Sequence, residues 1–114
     1  MESLNEEQLV SIEIDLEELK KNEMNESFLT MFGATIRILM QKMGFGKEKR
    51  IPFHLRGKRS DVNAFARTLG REKQYVTVSK KYGLQDPRTY QNKSKLDLAI
   101  KNFEAETGLT WPFK

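Results

Sequence analysis

Apolar and polar positions alternate with a period of two over residues 9–14, where Val10, Ile12 and Ile14 fall on one side and Ser11 and Glu13 on the other. That is the pattern of a half-buried strand, with Leu16 and Leu19 spaced to continue the chain as a short helix instead. Residues 26–43 predict a helix, with Asn25 or Ser27 as cap and Gly44 and Gly46 to end it. Phe28, Leu29, Met31, Phe32, Ile36, Ile38, Leu39, Met40 and Met43 wrap most of its circumference, more than a peripheral helix needs. Residues 51–56 return to strand alternation, with Ile51, Phe53 and Leu55 opposite Pro52, His54 and Arg56, and the proline places this strand at an edge or a start.

A longer helix then follows, capped by Ser60 or Asp61, with Val62, Phe65, Ala66, Leu69 and Val76 as its core face and Gly70 as a possible kink. It stops at Tyr82-Gly83-Leu84. Asp86-Pro87 is a cap and first-turn pairing, so a short helix starts there. Ser94 is placed to cap another, running through Leu96, Ala99, Ile100 and Phe103 until Gly108. The tail from Leu109 to Lys114 is too apolar for a frayed end, and Trp111 and Phe113 are expected to pack onto the body or into a neighbour. The pattern predicts one α-rich α+β domain over residues 1–114, with three or four helices and two or three short strands.

Charge changes this picture more than composition does. Residues 1–26 carry nine acids and two lysines, a net −7, whereas residues 27–114 carry eighteen Lys and Arg against seven acids, a net +11. The acidic segment could fold over the basic body, bind a basic partner, or keep the protein soluble. Cysteine is absent, which removes disulfides, thiolate metal sites and cysteine nucleophiles. The chain starts without a signal-like basic and apolar run, and no stretch is apolar enough to span a bilayer, so a setting inside a cell or a virion is expected.

Candidate chemistry is sparse. His54 is the sole histidine, and nothing beside it resembles a nucleophile elbow or a metal-binding helix. Glu18-Leu19-Lys20 has the acid and lysine spacing of metal-dependent nucleases, but Asp15 lies only three residues upstream of Glu18. Gly44-Phe45-Gly46-Lys47 lacks the span and the hydroxyl residue of a phosphate loop. No cofactor or metal is expected. The strongest electrostatic feature is the cluster Lys47, Lys49, Arg50, Arg56, Lys58 and Arg59, with Glu48 alone against it. Such a cluster suits a nucleic-acid backbone, and Arg67, Arg71, Lys80 and Lys81 could extend it. An ordinary solvated basic face, or one that meets acidic protein, fits the same residues.

The stretches Asn25-Glu26-Ser27-Phe28-Leu29, Met31-Phe32-Gly33, Gly83 to Tyr90, Phe103-Glu104, and Glu106-Thr107-Gly108 through Lys114 resemble small uncharacterised proteins of tailed bacteriophages. The resemblance covers most of the chain and implies a viral origin with an accessory or virion role, in the virion or the host cytoplasm. It carries over no catalytic residue. The expectation is a non-enzymatic interaction or assembly protein, binding a protein partner or itself. Phe28, Leu29, Phe32, Ile36 and Met40 would supply a helix face for packing or association, and Trp111 and Phe113 a terminal dock. The alternative is nucleic-acid binding through the cluster at 47–59.

Overall fold

The computed structural model describes residues 12–22, 26–42 and 53–113, apart from the side chains of Ile12, Phe28, Lys42 and Phe53. Four helices and a two-stranded sheet make the described fold α-rich α+β. The chain divides into two compact units, Met1–Gly57 and Lys58–Lys114.

The first unit holds β1 (Ile12–Asp15), α1 (Leu16–Lys21), α2 (Glu26–Lys42) and β2 (Phe53–Arg56). The two strands pair in parallel, Ile12 opposite Phe53 through Asp15 opposite Arg56, so the chain between them must cross over and carries α1 and α2. Strand and helix are both realised in sequence from Ile12 onward, because Asp15 turns the strand into a helix, while residues 9–11 of the expected strand lie outside the described residues. Its backbone is extended and its Oδ1 accepts from the Glu17 and Glu18 N–H groups at 3.0 and 3.2 Å. Glu17 and Glu18 in the first turn and Lys20 and Lys21 in the last match the helix dipole. Leu16 and Leu19 are buried. Gly57 follows β2 at φ +144, a backbone conformation that favours glycine, and a Cβ there would come within a tight 3.2 Å of the Leu16 Cβ.

The helix expected at 26–43 is α2, with Ser27 inside its first turn. Asn25, Met43 and the glycines at 44 and 46 lie outside the described residues, as do Ile51 and Pro52 of the second expected strand. Phe32, Ile36 and Leu39, at helical spacing, are buried, while Met31 and Ile38 are exposed.

The second unit is an antiparallel hairpin of two long helices, α3 (Arg59–Tyr82) and α4 (Pro87–Thr107). Helix α3 begins ahead of Ser60 and Asp61, so neither caps it, and it runs through Gly70 to its end at Tyr82. Ala66 is exposed; the stripe facing inward is Asp61, Ala64, Phe65, Thr68, Leu69 and Glu72, half of it polar and so invisible to an apolar count. Helix α4 starts at Asp86-Pro87 as its sequence dictates, but continues past Ser94 without a new cap, because Leu96 extends one buried stripe through Ala99, Ile100 and Phe103. Gly108, in the left-handed region at φ +79, ends it with its N–H on the Glu104 carbonyl. Across the hairpin, the Thr68 hydroxyl lies 2.8 Å from the Ala64 carbonyl and 3.2 Å from that of Ala99, two acceptors for one proton.

The tail folds back onto this hairpin. Trp111, 1% exposed, stands 5.8 Å from the Phe65 ring and 5.2 Å, edge on, from that of Phe103. Its indole N–H donates to Glu72 Oε1 and its backbone N–H to Glu104 Oε2, both at 2.9 Å, so one carboxylate from each helix holds it. Burial pushes the Glu72 carboxyl above its usual range, against the Trp111 bond and the charge of Lys93, which pull it down.

Candidate nucleic-acid interface

The exposed surface of α3 carries cations and no acid. Arg59, Arg67, Lys80 and Lys81 are exposed and Arg71 and Lys73 half-buried, whereas Asp61 and Glu72, the only carboxylates of the helix, are turned inside. At 100° per residue, Asn63, Ala66, Gly70 and Gln74 fall with Arg59 on one outer stripe, and Arg67 and Arg71 run beside it one turn apart. These neighbours are small or uncharged, so a ligand can approach the backbone between the guanidinium groups. From Arg59 to Arg71 the helix rises about 18 Å.

The start of α3 has a single favourable acid, Asp61 in the first turn, and cations ahead of it. Its cap position is Lys58, which supplies no side-chain hydrogen bond, and Lys58 and Arg59 put cations at the positive end of the helix dipole. An anion bound there would relieve both defects. Ion pairing elsewhere makes the contrast plain. Arg56 pairs with Glu13 across the strands at 3.4 Å, Arg88 with Asp86 at 2.9 Å and Lys93 with Asp97 at 2.8 Å. Among the described residues, Lys58, Arg59, Arg67 and Arg71 make no such pair. A polar furrow of about 480 Å³, lined among others by Ser60, Asn63, Arg67 and Asn102 and, from α4, the exposed Glu106, runs alongside this face.

Of the six residues of the basic cluster, Lys47, Lys49 and Arg50 lie outside the described residues. Arg56 is exposed but engaged with Glu13, and Lys58 and Arg59 belong to the start of α3. The association face is divided. Phe32 and Ile36 are buried, Leu29 and Met40 are half-buried, and the Phe28 side chain lies outside the described residues. Trp111 is enclosed by its own unit, the inward one of the two alternatives, and half-buried Phe113 lies beside Tyr75, Leu96 and Ile100. His54 is exposed, and Asp15 and Lys20 are used within α1, as cap and as partner of Glu17. Among the described residues no group of three or more His, Cys, Asp or Glu is arranged to hold a metal ion, and no helix is long and apolar enough to cross a membrane.

The one-turn spacing of Arg67 and Arg71 was visible in the sequence; the inward direction of both α3 carboxylates, which makes the face unbroken, was not. No protein family, no curated protein and no solved structure matches the chain.

Proposed function

We propose that this protein binds nucleic acid without catalysing a reaction on it, through the outer face of α3. Lys58, Arg59, Arg67 and Arg71 contact phosphates, and Asn63 and Gln74 are placed among them toward base edges. The observation that carries the reading is a helix of 24 residues whose every carboxylate is buried while its cations are exposed or half-exposed. That arrangement leaves counterion release as the driving term. In the phage setting that the sequence resemblance implies, the ligand is the genome or a transcript, met in the virion or the host cytoplasm. Association through Phe32 and Ile36 has less support, since both side chains are already covered.

Fluorescence anisotropy with a labelled random duplex, repeated over a range of salt, tests it. Affinity is expected to fall steeply with salt, and the double variant Arg67→Ala, Arg71→Ala to reduce the slope of log K against log salt by roughly 0.9 for each phosphate that is no longer neutralised. A triple Lys47→Ala, Lys49→Ala, Arg50→Ala variant separates the contribution of the neighbouring cluster. Binding that ignores salt, or an α3 variant that binds like the parent, overturns the reading.

A further inference from the structure

We propose that copies of this chain dock head to tail, the tip of the α3–α4 hairpin of one copy seating in a groove of the first unit of the next. The groove has an apolar floor of Ile14, Met31 and Phe32 and a rim of Glu13, Asp15 and Glu18, of which Glu13 also pairs with Arg56 and Asp15 also caps α1, so that the rim keeps a net negative charge. Met31 is 64% exposed there, more than any other large apolar side chain described in α2. At about 210 Å³ the groove is smaller than the ~300–1,000 Å³ of small-molecule sites. It is the size for an anchoring side chain.

The hairpin tip carries the complementary charge, with Lys81 lying 5.4 Å over the Tyr82 ring. Leu84 and Tyr90 stand out at 62% and 55% exposure, and Lys80 and Lys81 are exposed beside them. The tip is held rigid, so little conformational entropy is lost on docking. Both Asp86 oxygens hold the Arg88 guanidinium, at 2.9 and 3.0 Å, and that guanidinium lies 3.5 Å over the Tyr82 ring. The Thr89 hydroxyl donates to the Gly83 carbonyl at 2.6 Å, and the Tyr90 hydroxyl to Gln85 Oε1 at 3.1 Å. An apolar knob with a lysine pair and an apolar groove with a carboxylate rim are thus both exposed among the described residues. The occupant that brings this charge and shape in fixed stoichiometry is a second copy. Because the two surfaces differ, the contact is heterologous: each added copy presents a new groove or a new tip. Lys80 and Lys81 belong to the cations of α3, but Arg59, Arg67 and Arg71 lie on neither surface, so variants at these arginines test nucleic-acid binding without touching this contact.

Light scattering and sedimentation of the full chain over a concentration series at low salt provide the test. The parent is expected to grow in mass with concentration, and Leu84→Asp and Met31→Asp, both at exposed positions, each to weaken association at least tenfold while circular dichroism keeps the parent's helical signal. Mixed in equal amounts, these two variants retain one intact tip and one intact groove between them and are expected to form a dimer that grows no further. The reversals Lys81→Glu and Glu18→Lys give a second pair, each defective alone and restored by the other. A parent that is monomeric throughout, a series unaffected by either variant, capture of an unrelated acidic protein in place of self-association, or mixtures that stay monomeric would each overturn the proposal.

Discussion

Trp111 is the largest of the fully buried side chains described. Two phenylalanine rings enclose it and two carboxylates accept its N–H groups, so Trp111→Ala is expected to cost roughly 3–5 kcal/mol. Urea unfolding followed by circular dichroism measures this. Glu72 works in the opposite sense at neutral pH. Its folded-state value lies above its ordinary 4.5 because burial disfavours the charge. The fold therefore binds that proton more tightly than the unfolded chain, and stability falls as pH rises from about 4.5 through the folded-state value. Glu72→Gln keeps an acceptor for the indole and is expected to flatten that decline and to match or exceed the parent at pH 7. An unchanged pH slope would assign the decline to another group. Trp111 was legible as a docking residue because an apolar tail has to go somewhere. Glu72 was not, because its partner lies 39 residues away and a lone glutamate within a helix reads as surface.

At the scale of elements, the boundaries that were legible are those fixed by local chemistry. Asp86-Pro87 and Gly108 mark both ends of α4 as their backbone preferences require. The errors came where a tertiary contact decided the outcome. Ser94 has the character of a cap yet sits inside α4, because the stripe from Leu96 onward packs on α3 as a continuation of the same helix. On α3, Ala66 is apolar but faces solvent, and the polar Asp61, Thr68 and Glu72 take the inner positions. Gly70 offers a direct check of that orientation. It lies within the helix on the outer face, and an added Cβ would meet nothing within 4 Å. Gly70→Ala is expected to stabilise the protein by about 0.5–1 kcal/mol, read as a higher midpoint in thermal unfolding. Gly57→Ala should do the reverse, on the order of 1–3 kcal/mol, since its positive φ and the nearby Leu16 both disfavour a side chain.

Over the whole molecule, charge is the organising variable, and it was legible from the start as an acidic segment followed by a basic body. Composition could not show that α3 separates its charges by depth, with carboxylates inside and guanidinium groups outside. Salt thus becomes the most informative single condition: it is expected to weaken nucleic-acid binding and head-to-tail docking together, while the α3 and Leu84 variants distinguish them. The parallel pairing of β1 with β2 has a consequence during synthesis. Residue 12 leaves the ribosome 41 residues ahead of its partner at 53, a wait of roughly 2–8 s at ~5–20 residues per second. For that interval the isoleucine-bearing strand has an unpaired edge, the template on which nascent chains aggregate. Glu13, Asp15, Glu17 and Glu18 emerge in and beside the same strand, so neighbouring nascent chains on one message repel each other at the segment that is open.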